Sequence, residues 1–145
     1  MTERPAVHDW AMHLAEVCAT RSTCVRRAVG CILLNVHNEV LATGVNGVPR
    51  GTVHCIQVPC AGAGAPTGQS LDLCLSTHAE MNALIQCRDI WQIAACYVTT
   101  APCVMCIRAL LNTGCQAIYF AEEYAHVQAR DVWQGQGRLW VHLRR

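Results

Sequence analysis

Two short motifs limit the folds open to this chain, because each places metal-binding side chains at the predicted start of a helix. The first pairs His78 with Glu80 after a long loop, and the second is a Pro-Cys-x-x-Cys motif at residues 102–106, after a predicted strand. Cysteines three residues apart lie on one side of a helix, and the dipole of a helix start favours the metal-binding thiolate. If both motifs hold one ion, the two helices must begin side by side.

The order of predicted elements indicates one mixed sheet with helices on both faces. Trp10, Leu14, Val17 and Cys18 recur at helical spacing, which predicts one face of an opening helix. A hairpin and three helix–strand units follow, and Gly114 is expected to cap the second helix of these units. The predicted elements after the opening helix are a hairpin at 28–35 and 39–45, helices at 78–87, 103–112 and 124–133, and strands at 96–100, 116–121 and 139–143.

Composition favours a single domain over residues 1–145 and argues against several kinds of partner. Hydrophobic residues make up 52% of the chain and charged residues 14%, so the chain can bury a core, and we expect part of its surface to be covered by other subunits. The net charge of +1 without a basic stripe argues against nucleic acid. No apolar run approaches the roughly 20 residues that span a bilayer, which argues against a membrane.

Eleven cysteines without a visible export segment favour a reducing cytoplasm over a disulfide framework. Cys31, Cys87, Cys96 and Cys115 lie in apolar runs and are expected to be buried thiols. The stretch 46–72 shows no periodicity, and a loop of that length in a compact domain is usually functional.

The motif chemistry favours a catalytic zinc site over a structural one. His78, Cys103 and Cys106 supply three ligands, whereas structural zinc sites are closed by four. The open position would hold a water whose pKa zinc lowers to about 7, and Glu80 is expected to accept and return its proton. A lone Cys-x-x-Cys also fits redox chemistry or a core pair, but the two motifs together are far more specific.

The combined motifs resemble the signature of the zinc deaminases that act on nucleobases. HAEMNAL (78–84) and TTAPCVMC (99–106) are similar to the cytidine/deoxycytidylate deaminase superfamily. The resemblance implies a three-layer α/β/α sandwich around a mixed five-stranded sheet. It also implies a catalytic zinc on His78, Cys103 and Cys106, with Glu80 as the proton shuttle.

Residues 21–33 and 42–55 resemble the deoxycytidylate (dCMP) deaminase branch of that superfamily, and the similarity extends over residues 21–124. The resemblance implies hydrolytic deamination of dCMP to dUMP with release of ammonia. It implies that Asn46 hydrogen-bonds the sugar and that Tyr124 lies near the nucleotide.

Two of the candidate substrate contacts also have a second interpretation. Arg26 is expected to bind the phosphate, because arginine can hold two phosphate oxygens at once, but it also fits a solvated surface position. Arg27 is expected at the surface. Asn46 also fits a positive φ angle in an Asn-Gly turn.

The resemblance further implies a homohexamer that dCTP activates and dTTP inhibits, with effectors near the Asn-Gly loop and the helix that carries Asn82. Val45 replaces the aromatic residue usual before Asn-Gly, so dCTP or a modified nucleotide such as 5-methyl-dCMP stays open as the substrate. A deaminase of free cytidine, of guanine or of tRNA adenosine also fits the zinc motifs. A free-nucleoside enzyme needs no phosphate site, so Arg26 is the discriminating residue, and the net charge of +1 disfavours the tRNA enzyme. A zinc-binding interaction module is the non-enzyme interpretation, and Glu80 argues against it.

Four more cysteines predict a second, structural zinc. Cys24, Cys55, Cys60 and Cys74 flank or lie within the long loop, and four thiolates would close a site that organises it. Some dCMP deaminases carry an extra zinc at matching positions. His54 is an alternative ligand, and unrelated free thiols are the alternative interpretation.

Overall fold

The computed structural model describes residues 3–66, 74–124 and 128–144. Five strands form one mixed sheet in the order β2-β1-β3-β4-β5. The first three strands pair antiparallel, and β3, β4 and β5 run parallel, so the predicted hairpin and mixed sheet are confirmed. The strands are β1 (Gly30–Leu34), β2 (Val40–Val45), β3 (Ala95–Thr100), β4 (Ala117–Glu122) and β5 (Leu139–His142).

Helices cover both faces of this sheet, because alternate strand residues are apolar on each side. In the fully buried β1, Ile32 and Leu34 pack toward α1, whereas Cys31 and Leu33 pack into the core on the other face. Of the remaining helices, α2 lies over β1 and β2, and α4 packs on α3 and β5. The expected three-layer arrangement is therefore confirmed. The helices are α1 (Val7–Ala19), α2 (Ala79–Gln86), α3 (Val104–Leu111) and α4 (Gln128–Gly135).

The buried face of α1 matches the predicted one only in part, because Leu14 and Cys18 pack against the core and the other two residues do not. Trp10 and Val17 are 37% and 53% exposed, whereas Ala11 and Ala15 are fully buried. The reason is a close approach of two backbones, since a Cβ at Gly30 of β1 would lie 1.9 Å from the carbonyl oxygen of Ala15. Ala11 and Ala15 therefore lie where the helix meets the strand, Met12 is buried beside them, and Trp10 and Val17 face outward.

Gly114 has a different role from the predicted helix cap. The C-cap of α3 is Asn112, and Gly114 does not have the positive φ angle of a capping glycine. A Cβ at Gly114 would lie 2.3 Å from the carbonyl oxygen of Trp91. The cap prediction was wrong, because this glycine allows two chain segments to touch.

Among the four cysteines expected in the core, Cys31, Cys96 and Cys115 are buried and Cys87 is partly buried. The predicted helix at 124–133 is observed from residue 128, and residues 125–127 lie outside the described residues, as does 67–72 of the long loop. Within the described ranges, no helix has the length and apolar character needed to cross a bilayer.

Candidate active site

The helices α2 and α3 begin side by side, and their N-terminal ends bring the two motifs together. His78 is the N-cap of α2 and Cys103 is the N-cap of α3, one residue outside the helices that the sequence predicted to contain them. His78 Nδ1 lies 3.4 Å from the Sγ atoms of both Cys103 and Cys106. All three atoms are within 4.8 Å of one another, so these residues are positioned to bind a metal ion.

The electrostatics of this cluster suit a zinc ion. A hydrogen bond from the Cys106 thiol, together with the neighbouring His78, lowers the pKa of Cys103 to about 4 despite its burial. The pKa of Cys106 is raised, because its proton is shared with Cys103 and because it is buried. The hydrogen bond with Cys103 raises the pKa of His78. One nitrogen and two sulfurs, with a thiolate already favoured, form a donor set that zinc prefers.

Glu80 lies beside these atoms in the first turn of α2. It is 4% exposed and is the one charged side chain that is buried within the described residues. Burial raises its pKa, and a hydrogen bond with the Cys106 thiol and the charge of His78 oppose that shift. Residues two apart would diverge on a regular helix, but His78 precedes the helix and both side chains line one cavity.

The cavity joins the metal-binding residues to cationic and polar groups from the N-terminal half of the chain. β3 ends at its wall, and the segment before β1 forms another wall. The lining residues are Cys24, Arg26, Arg27, Val29, Asn46, Cys74, Ser76, His78, Ala79, Glu80, Thr100, Ala101, Cys103 and Tyr124.

Asn46 is 7% exposed and ties the end of β2 to the segment before β1. Its amide oxygen accepts hydrogen bonds from the Ser22 hydroxyl at 2.7 Å and the Val29 N–H at 2.8 Å. Its amide nitrogen donates to the carbonyl oxygen of Arg27 at 2.6 Å. Asn46 does not have a positive φ angle, so the turn interpretation was wrong. Its contact with a sugar stays a prediction.

The two arginines occupy different parts of the cavity wall. Arg26 Nη2 donates to the carbonyl oxygen of Pro66 at 2.7 Å. The Arg27 guanidinium lies over the ring of Tyr124, 5.9 Å from its centroid. Burial raises the pKa of Tyr124, and both guanidinium groups oppose that shift. Arg27 therefore lines the cavity and not the outer surface, a position that only the fold reveals.

The second cysteine group is gathered only in part. The Cys60 N–H donates to Cys55 Sγ at 3.4 Å, and the thiols of Cys55 and Cys74 are close enough to lower the pKa of the Cys60 thiol. Cys24 is close enough to Cys74 to raise its pKa. Among the described residues, however, His78 and its two cysteine partners are the one set of three whose ligand atoms lie within 4.8 Å of one another. The four-cysteine site stays a prediction.

A second cavity lies between the Asn-Gly loop and α2, where the effectors are expected. Asn82 is held there by a hydrogen bond from its amide nitrogen to the carbonyl oxygen of Val45 at 2.7 Å. Asn46 lines both cavities. The lining residues of the second cavity are Arg21, Thr23, Val45, Asn46, Gly47, Val48, His54 and Asn82.

Known proteins resemble both the sequence and the fold. Residues 5–122 match the family model of the cytidine and deoxycytidylate deaminase zinc-binding region. A deoxycytidylate deaminase of Schizosaccharomyces pombe is 35% identical over 125 residues, which are 83% of this chain and 38% of that protein. The deoxycytidylate deaminase of Mycobacterium phage D29 is 32% identical over 126 residues, which are 83% of this chain and 98% of that protein.

The fold comparison agrees with the sequence comparison. The crystal structure of a dCMP deaminase from the cyanophage S-TIM5 in apo form superposes with a TM-score of 0.75 at 25% identity, covering 97% of this chain and 100% of that one. The expected cytidine deaminase-like fold is confirmed. This chain belongs to the zinc-binding family of cytidine and deoxycytidylate deaminases.

Proposed function

We propose that this chain is a hydrolytic deaminase that converts dCMP to dUMP and ammonia, acting as one domain in the cytoplasm. The observation that carries the proposal is the buried Glu80 carboxyl, which shares a cavity with His78 and Cys103 and hydrogen-bonds the third metal-binding residue, Cys106. A structural zinc site has no use for such a carboxyl. The substrate is proposed from the deoxycytidylate deaminases of S. pombe and phage D29, since the latter is matched over 98% of its length.

The chain's residues divide the chemistry among them. His78, Cys103 and Cys106 would hold zinc, which when bound supplies hydroxide near neutral pH. The Glu80 carboxylate takes the two protons of the attacking water one after the other, and passes the first to the ring nitrogen and the second to the amino group. The oxygen of water then replaces the amino group, which leaves as ammonia. Burial suits Glu80 to this task, because a raised pKa lets the carboxyl hold a proton that it must later release.

The cationic wall of the cavity favours a nucleotide over a nucleoside. Arg26 and Arg27 both line it, and guanidinium groups bind phosphate oxygens two at a time. We assign the phosphate to Arg26 and the sugar to Asn46. Tyr124 lies beside the nucleotide, with its ring stacked under Arg27.

The test is ammonia release from dCMP, dCTP, deoxycytidine and 5-methyl-dCMP. We expect dCMP to react fastest. Glu80→Gln should keep its zinc and lose about 10²–10⁴ in rate, while Glu39→Gln, on the hairpin turn, should match the unmodified chain. Full activity of Glu80→Gln would remove the mechanism. Faster turnover of another cytosine nucleotide would change the substrate, and inactivity on all four would favour an interaction module.

We further propose that Cys24, Cys55, Cys60 and Cys74 bind a structural zinc that organises the long loop. The proximity of the Cys60 thiol to the thiols of Cys55 and Cys74, which lower its pKa, supports this. Metal analysis should give two zinc ions per chain, and one in a Cys60→Ser variant that keeps its activity. One zinc per chain with a fully loaded catalytic site would contradict the proposal, and loss of the second zinc in His54→Ala would place His54 among its ligands.

Regulation and assembly complete the proposal. The second cavity, beside Asn82 and the Asn-Gly loop, is where dCTP and dTTP would bind, and a homohexamer would cover part of the weakly charged surface. We expect dCTP to lower and dTTP to raise the half-saturating dCMP concentration, with both effects lost in Asn82→Ala. Light scattering should give a mass of six chains. A monomer that ignores both effectors would contradict this part.

A further inference from the structure

The orientation of the Asn46 amide is fixed by two backbone groups. The Val29 N–H, which can only donate, lies 2.8 Å from the amide oxygen. The carbonyl oxygen of Arg27, which can only accept, lies 2.6 Å from the amide nitrogen. Exchanging the oxygen and nitrogen would set donor against donor and acceptor against acceptor. The amide therefore has a single orientation in the cavity wall.

Ser22 completes this arrangement. Its hydroxyl oxygen accepts a hydrogen bond from the Cys24 N–H at 3.2 Å, so its proton points to the Asn46 amide oxygen at 2.7 Å. An amide oxygen has two acceptor sites, and Ser22 and Val29 fill both. The amide nitrogen has two protons, of which one bonds the Arg27 carbonyl. The second N–H is what Asn46 can offer to a ligand.

We infer that Ser22 is a positioning residue that makes Asn46 a pure hydrogen-bond donor toward the sugar. Ser22 is not among the residues that line the cavity, so it acts through Asn46 and not by touching substrate. The sugar of dCMP carries one hydroxyl group, whose oxygen accepts the Asn46 N–H. Without Ser22, one acceptor site on the Asn46 amide oxygen becomes free. That site can accept a hydrogen bond from the sugar hydroxyl, which competes with the bond that the Asn46 N–H donates to it. The inference rests on the proposed function, since it assigns the substrate group that Asn46 reads.

The test compares dCMP with its 2′,3′-dideoxy analogue, which lacks that hydroxyl. A neutral hydrogen bond contributes about 0.5–1.5 kcal/mol. We therefore expect Ser22→Ala to raise KM for dCMP about 2- to 12-fold, with kcat within about twofold. Ser22→Thr keeps a hydroxyl and should restore KM. For the dideoxy substrate, Ser22→Ala and the unmodified chain should have equal KM values.

The matched control is Thr20→Ala, because the Thr20 hydroxyl donates to the Val17 carbonyl and lies outside the network. It should leave both substrates unaffected. An equal rise in KM for both substrates with Ser22→Ala would mean a general structural role and would overturn the inference. An unchanged KM for dCMP would overturn it as well.

Calorimetric binding of dUMP and dideoxy-UMP separates this inference from the proposed function. If the unmodified chain releases no ammonia from dCMP, the proposed function fails, whereas weakened binding of dUMP alone in Ser22→Ala would still support the role of Ser22. If dCMP is turned over but Ser22→Ala binds dUMP normally, the proposed function stands and the inference fails.

Discussion

Gly44 of β2 is expected to tolerate no side chain, because α2 passes directly over it. A Cβ at Gly44 would lie 2.0 Å from the carbonyl oxygen of Ala79 and 2.6 Å from the backbone nitrogen of Ala83. Both atoms belong to the helix backbone and cannot rotate away. Ordinary contact begins near 3.4 Å, so Gly44→Ala must push α2 away from the sheet by about 1.4 Å.

That displacement would reach the candidate site, because α2 carries Glu80 and begins directly after His78. Overpacking costs about 1–3 kcal/mol in free energy of unfolding, and a misplacement of about 1 Å can reduce a catalysed rate about 10²-fold. We expect Gly44→Ala to lower the midpoint of urea unfolding, weaken zinc binding in a chelator competition, and slow ammonia release from dCMP about 10²-fold.

Two glycines serve as controls. A Cβ at Gly30 would lie 1.9 Å from the carbonyl oxygen of Ala15, so Gly30→Ala displaces α1, which carries no site residue. It should lose similar stability but less zinc affinity. Gly135→Ala meets nothing within 4 Å and should change neither. If Gly44→Ala kept the zinc affinity and rate of the unmodified chain, the claim that this close approach positions the site would be refuted.

Two further predictions concern stability. The Arg138 guanidinium donates to the carbonyl oxygens of Cys115 at 2.8 Å and Leu111 at 3.0 Å, and lysine cannot reproduce that planar fork. Arg138→Lys should therefore cost about 1–3 kcal/mol in urea unfolding, whereas the exposed Arg108→Lys should stay within about 0.5 kcal/mol; equal effects would contradict the assignment. Burial is the main cause of the raised pKa of Tyr97, and Tyr119 adds to it. As the pH rises, the Tyr97 hydroxyl therefore loses its proton near pH 10 in the unfolded chain, before it does so in the folded one. Stability should fall as the pH rises past that value, and less steeply in Tyr97→Phe; equal slopes between about pH 9 and 11 would contradict the pKa shift.

The sequence by itself determined the element order and the metal-binding triad. The donor atoms of His78, Cys103 and Cys106 are properties of the side chains, and their positions at helix starts follow from local signals such as Pro102. The order of the predicted elements, a hairpin followed by three helix–strand units, likewise predicted a mixed sheet between helices. Each of these features depends on neighbours within a few residues, which is why spacing and composition were enough.

The tertiary structure decided what depends on distances between remote segments. The buried face of α1 and the role of Gly114 follow from backbones that approach too closely for a side chain. Arg27 faces the cavity because Tyr124 lies beneath it, and Ser22 reaches Asn46 from 24 residues away. No local pattern records such contacts, because burial and hydrogen-bond partners are fixed only when the segments pack together.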